Sequence, residues 1–151
     1  MSIETDIKQS KFRNEYQKVI INILFTYNWL ANQHKPIFEK EDLTMQQFNI
    51  LRILRGSRDP LSTLQIRERM LDKMSDTSRI VDRLVIKGFA KKVVCKTDKR
   101  LVDVTITENG RKILARLDKQ EEKMDEIVNS LSEAEAKQLS KLLDKMRKSD
   151  N

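Results

Sequence analysis

Apolar residues in this chain of 151 residues fall at steps of three and four along most of its length, and at steps of two in two short runs, 89–95 and 101–107. The first spacing belongs to helices that bury one face, the second to half-buried strands. With only three Gly and two Pro there is little material for irregular loops, so the two runs form a small β element inside a mostly α fold. A chain of this length suits one domain whose core needs no covalent staples.

From Phe12 onward, Tyr16, Val19, Ile20, Ile23, Leu24, Tyr27, Leu30 and Ala31 predict one long amphipathic helix that Pro36 ends or kinks. Thr44 and Gln47 have capping-box spacing, in which each side chain satisfies the other residue's backbone N–H. They open a helix carrying Phe48, Leu51 and Leu54 that stops near Gly56. Ser62 and Gln65 repeat the signature for a short helix with Leu64, Ile66 and Met70 inward. Ser75 is expected to cap a helix through Lys87, with Gly88 just past its end. Two short helices joined tightly make a helix-turn-helix candidate. The alternating runs then pair as a hairpin with its tip at 96–100. Thr107 caps a helix carrying Leu114, Leu117, Met124, Val128 and Leu131, and Ser132 with Glu135 opens a last one carrying Leu139, Leu142, Leu143 and Met146.

Several function classes drop out. The single cysteine, Cys95, allows no internal disulfide, and the single histidine, His34, leaves a metal cluster or a Ser-His-Asp triad without its parts. No glycine-rich phosphate loop is present. The expectation is no enzyme, no metal and no cofactor. Residues 2–11 are polar and charged and no apolar run approaches membrane-spanning length, so the expected location is cytoplasmic and no membrane partner is expected.

Lys plus Arg number 30 against 23 Asp plus Glu, a net charge of +7, which favours a polyanionic partner, nucleic acid before membrane. The excess is concentrated at 87–100, where Lys87, Lys91, Lys92, Lys96, Lys99 and Arg100 surround one acid, Asp98. A membrane-seeking chain gathers its cations on a helix opposite large apolar residues instead. On the helix through Lys87, Thr77, Ile80, Val81, Leu84 and Val85 share one face, and Ser75, Arg79, Asp82, Arg83 and Ile86 lie opposite. In a winged helix-turn-helix this helix enters a major groove while the hairpin touches the flank. Ser75, Asp76 and Ser78 then occupy an N-terminal turn that favours a phosphate, and Arg79 and Arg83 are spaced to reach guanine edges or phosphates. The same face also reads as an ordinary solvated one, with Asp82 paired to Arg79 along the helix. Ile86 has no evident part in either reading.

The stretches "DLTMQQFNILRIL", "MSDTSRIVDRLVIKGFAKK" and "TDKRLVDVTITENGRKIL", in that order, resemble the MarR family of bacterial transcriptional regulators over Asp42 to Leu114. The most specific element is Asp98, Arg100, Ile106 and Thr107, followed by Gly110 and Leu114. The resemblance implies a mostly α fold with a small β-hairpin wing. A winged helix-turn-helix domain at 43–107 would lie between an N-terminal dimerisation helix at 1–38 and C-terminal dimerisation helices at 108–151, all in one compact chain. Leu117, Met124 and Leu131 repeat at heptad spacing, as a dimer seam would require. The implied function is a DNA-binding regulator, a ligand-responsive repressor that binds double-stranded DNA at a pseudo-palindromic operator as a homodimer. Lys99 and Arg100 of the wing would meet DNA, Arg100 in the minor groove. Asp98 would accept hydrogen bonds from Arg100 or from turn amides and so order a turn that lacks Gly and Pro.

A small aromatic effector is also implied, in a cleft for which Tyr27, Trp29, His34 and Phe38 lie in the corresponding region. Redox-sensing members of the family carry their cysteine near the N-terminus, so Cys95 reads as an inert small residue even though Lys92 and Lys96 flank it. The alternative is a winged-helix protein-interaction module without sequence-specific DNA binding. Such a module would present an apolar or aromatic recognition face, and here only Ile86 is apolar on it.

Overall fold

The apolar spacing that begins at Tyr16 does fold as one helix, but a proline fails to stop it. In the computed structural model, which describes residues 1–147, a single turn α1 (Ile3–Asp6) precedes α2 (Glu15–Glu39). Ile3 is buried and Glu4 pairs with Lys18, so the polar N-terminus is pinned to α2. Asn14 caps α2 by accepting from the Gln17 N–H at 2.9 Å. Pro36 lies inside the helix and the helix runs on to Glu39. Proline removes one N–H, which a helix within a turn of its end tolerates when something else finishes it. Here Leu43 N donates back to Phe38 O (3.1 Å) and Asp42 N to Glu39 O (3.0 Å). This bond pair is a Schellman ending, and Phe38 and Leu43 bury the apolar contact that accompanies it. The left-handed residue is Asp42, at φ 52°, where glycine is usual.

The capping box of Thr44 and Gln47 opens α3 (Met45–Arg55) as its spacing predicts. Leu51 and Leu54 face the core. They are joined by Ile50, at 0% exposure, and by the capping-box Gln47 at 4%. Leu61–Ser62 form a strand, β1, that pattern reading misses because two residues carry no period. Ser62 also caps α4 (Thr63–Arg69), with its own capping box to Gln65. Ile66 and Met70 point inward, whereas Leu64 is 62% exposed, against expectation. Seven residues make barely two turns, and Ile66 and Met70, four apart, already occupy the inward side.

Helix α5 (Thr77–Ile86) starts later than Ser75 suggests, because Asp76 is the N-cap and accepts from the Arg79 N–H at 3.2 Å. Ser75 instead donates its hydroxyl to the Asp72 carbonyl at 2.8 Å. Gly88, at φ 79°, ends the helix, with Phe89 N donating to Leu84 O and Gly88 N to Val85 O, both at 3.0 Å. This is a second Schellman ending, with glycine where the backbone requires it. The strands β2 (Ala90–Val94) and β3 (Val102–Ile106) pair antiparallel from Ala90 opposite Ile106 to Val94 opposite Val102. The expected hairpin is therefore part of a three-stranded sheet in the order β1-β3-β2, with Leu61 opposite Val104.

Thr107 caps α6 (Glu108–Asp118) and ties it to α5, because its hydroxyl accepts from Gly110 N (3.1 Å) and donates to Gly88 O (2.6 Å). A β-carbon on Gly110 would collide with the Phe89 carbonyl and the Ile106 side chain, so only glycine lets α6 approach the sheet this closely. Ile113, Leu114 and Leu117 complete a core shared with Ile50, Leu51, Ile66, Val81, Leu84 and Val104. Two exposed bidentate pairs brace α6: Asp118 with Arg55 (2.8 and 3.0 Å) and Arg116 with Glu41.

These elements make up a first compact unit, Met1–Lys119, and a second begins at Gln120. The helix expected to run unbroken from Leu114 past Leu131 leaves helical geometry at Lys119–Gln120, and α7 spans only Glu121–Glu126. After Leu117 the sequence to Glu126 has one apolar residue, Met124, so no continuous stripe rewards a continuous helix. Glu121 and Glu122 meanwhile suit a new helix N-terminus. The heptad of Leu117, Met124 and Leu131 therefore lies across an interruption: Leu117 is buried and Leu131 is exposed. Ser132 and Glu135 form the predicted capping box of α8 (Glu133–Arg147), on which Leu139, Leu142 and Met146 are exposed. Among the described residues no helix is long and apolar enough to cross a membrane.

Candidate nucleic-acid interface

Helix α5 separates its two faces sharply. Thr77, Val81 and Leu84 are at most 1% exposed, while Ser78, Arg79, Asp82, Arg83 and Ile86 all face solvent. Thr77 is a polar core residue that donates to Met70 Sδ at 3.4 Å, which fastens the start of α5 to the end of α4. Across the turn between these helices, Asn49 Oδ1 accepts from Leu71 N at 2.9 Å. The N-terminal turn is only partly open to an anion, because the Asp76 carboxylate occupies the Arg79 N–H and the Ser75 hydroxyl is turned to Asp72. Asp82 pairs with Lys92 on β2 rather than with Arg79. That pair links the exposed face of α5 to the wing.

At the wing tip Asp98 takes three hydrogen bonds from one residue. Its Oδ1 accepts from the Arg100 backbone N–H (3.0 Å) and from Arg100 Nε (3.1 Å), and its Oδ2 accepts from Nη2 (3.1 Å). The Arg100 side chain remains 90% exposed. The Arg100 guanidinium and backbone N–H hold the Asp98 carboxyl below the usual carboxylate range. Lys96 and Lys99 are exposed beside it. Cys95 bonds to Thr97 Oγ1 through its sulfur at 3.2 Å. That bond, with the Asp98 and Thr97 backbone N–H groups, lowers its thiol pKa, so the cause is local hydrogen bonding and not the lysines beside it.

Three of the four aromatic cleft candidates line three different cavities. Phe38 is 4% exposed and lines a cavity of about 450 Å³ together with Ala31, Leu43, Met45 and Lys87. Tyr27 lines another of about 260 Å³, against Met45, Met70 and Leu71. Trp29 lines a third, beside Met1 and Phe25. His34 lines none of these three; its Nδ1 lies 2.8 Å from the Leu30 carbonyl, and its ring stacks near Phe38. Among the described residues no group of three or more His, Cys, Asp or Glu is placed to hold a metal ion.

Sequence reading missed Lys87 and Lys92, whose ammonium groups join α5 to other elements. Each was visible only as one more member of the basic cluster, since its partner lies on another element of the fold.

The MarR family model matches residues 43–102, the stretch from the α2–α3 corner to the start of β3. That stretch is similar to the DNA-binding domain of MarR-family regulators. An HTH-type transcriptional regulator of Bacillus subtilis, YfiV, is 36% identical to it over 78 residues, 52% of this chain and 48% of that protein, so the match spans about half the length of that relative. Among solved structures, a mutant MarR from E. coli complexed with operator DNA superposes with a TM-score of 0.81 at 23% identity, over 91% of this chain and 99% of that one. Bordetella bronchiseptica BpsR, whose DNA binding is regulated by 6-hydroxynicotinic acid, gives 0.81 at 20% identity over 93% of this chain and 100% of that one. At these identities the two structures establish the MarR-type fold.

Proposed function

We propose that this chain is a transcriptional repressor that binds a pseudo-palindromic operator as a homodimer and is released by a small aromatic ligand. The observation that carries the reading is α5, which buries Thr77, Val81 and Leu84 on one face while Arg79 and Arg83 stand exposed on the other, with the basic wing in the same domain. Ser78, Arg79 and Arg83 read the major groove and Lys99 and Arg100 meet the flank, with Arg100 in the minor groove. Ser75 and Asp76 act at one remove, by fixing the start of α5.

The dimer reading is supported by apolar side chains that a single chain leaves open: Tyr16, Ile20 and Leu24 on α2, and Leu139, Leu142 and Met146 on α8. A second copy covers them, and two-fold symmetry places two α5 helices about one DNA turn apart. The ligand reading is supported by the largely apolar cavity at Phe38 and by the regulation of BpsR by an aromatic acid. Such a protein works in the cytoplasm, where its operator is.

The test is selection of bound sequences from a pool of random duplex DNA at two salt concentrations. A two-fold symmetric motif is expected, with affinity that falls steeply with salt over ~6–10 phosphate contacts. Weak binding without a motif would favour a protein-interaction module instead.

A further inference from the structure

Two helix ends meet at one ammonium group. Lys87 is the residue just before Gly88 at the end of α5, and its Nζ donates to the backbone carbonyl of Asp42 and to Gln47 Oε1, the latter at 3.1 Å. The Asp42 carboxylate lies 3.5 Å away, with its side chain open to solvent. Both neutral acceptors have structural duties of their own. The Asp42 carbonyl belongs to the left-handed residue that ends α2. Gln47 Oε1 also accepts from Thr44 N at 3.2 Å and so closes the capping box of α3. Residues 40–44 are the corner between α2 and α3, and Lys87 therefore fastens the end of α5 to that corner.

We infer that Lys87 is a positioning residue for operator binding, which sets the pose of α5 against the α2–α3 corner and hence the angle at which Arg79 and Arg83 are presented. Three considerations support it. The Lys87 side chain is 27% exposed, turned inward among fixed acceptors, whereas Arg100 at the wing tip is 90% exposed; a phosphate contact needs the second kind of placement. An ammonium has three donors, and here it bridges the exposed Asp42 carbonyl and the part-buried Gln47 Oε1, which the Thr44 N–H already holds in place, so its removal breaks the one side-chain link between the end of α5 and these two acceptors. A non-glycine residue at positive φ persists where its surroundings over-determine it, and Lys87 is the side chain that reaches Asp42 from another element.

The inference rests on the operator reading above, and its test uses the full chain with the motif selected there. Lys87→Met keeps the aliphatic stem and removes the donors. It should lower affinity for the selected operator roughly tenfold, with binding to non-specific duplex and the salt slope unchanged, and Lys87→Arg should restore most of the loss. An equal loss on both duplexes, with a slope smaller by about one phosphate, would make Lys87 a phosphate contact and overturn the positioning role. Undiminished operator affinity in Lys87→Met would overturn it as well. A wild-type chain that selects no motif would overturn the operator reading itself, which is a distinct result.

A thermal cycle reads the junction without DNA. Asp42→Gly relieves the left-handed residue and should raise Tm more in the Lys87→Met background than in wild type, where it also forfeits a contact to Lys87. Equal shifts in the two backgrounds would show that the two residues are not coupled.

Discussion

Arg79 and Arg83 rise from a helix whose other face is at most 1% exposed at Thr77, Val81 and Leu84, while Arg100 rises from a turn in which no side chain from 95 to 101 is buried. The two basic surfaces belong to one domain and are held by opposite means. Helix α5 is fixed by apolar burial along its length, by the Asp76 cap at one end and by Gly88 with Lys87 at the other. The wing tip is held by two backbone hydrogen bonds, Leu101 N to Asp98 O and Cys95 N to Leu101 O, and by one carboxylate that grips one arginine through both its backbone and its side chain. Burial is cooperative, so α5 stands or falls with the fold. A solvent-exposed polar grip is local, and the wing tip can loosen while the rest of the domain stays intact.

This contrast can be broken at several points. Leu84→Ala removes a fully buried side chain from α5 and should cost ~2–5 kcal/mol of stability, measured by thermal or urea unfolding. DNA binding should fail only through loss of the fold. Arg79→Ala should leave Tm unchanged and cost ~1–3 kcal/mol on the selected operator if the side chain is bidentate to guanine; an equal loss on every sequence would demote it to a phosphate contact. Thr107→Val removes the cap that joins α6 to Gly88 and should lower stability by roughly 0.5–2 kcal/mol, without selective loss of the operator.

Asp98→Ala should change Tm little and yet weaken operator binding, because the loss is confined to the wing; a change in Tm without a change in binding would contradict the local grip. The pH dependence sharpens the same point. The Asp98 pKa is lowered in the folded chain by Arg100, so its contribution is present above the ordinary carboxylate pKa and is lost as pH falls through the lowered value. Wing order, followed by amide protection at residues 98–101, should be flat from neutral pH down to the usual carboxylate range and decline only below it.

What the sequence by itself determined is local. The capping boxes at Thr44, Ser62 and Ser132, the Gly88 ending, the two faces of α5 and the Asp98–Arg100 contact all depend on residues a few positions apart, where spacing alone brings the groups within reach. The family resemblance extended that reading to the winged fold.

Tertiary structure decided what spacing cannot encode. β1 is two residues long and exists because β3 offers it a paired edge. Leu64 is outward because Ile66 and Met70 take the core side, and Gln47 is inward because its amide serves the cap and Lys87 together. The aromatic residues of α2 divide among separate cavities, although their sequence positions suggest one cleft. The partner of Lys87 is 45 residues away and the partner of Arg55 is 63 away. Ion pairs and buried amides of that kind leave no periodic mark on the chain, because the geometry that makes them favourable is created only when the helices pack.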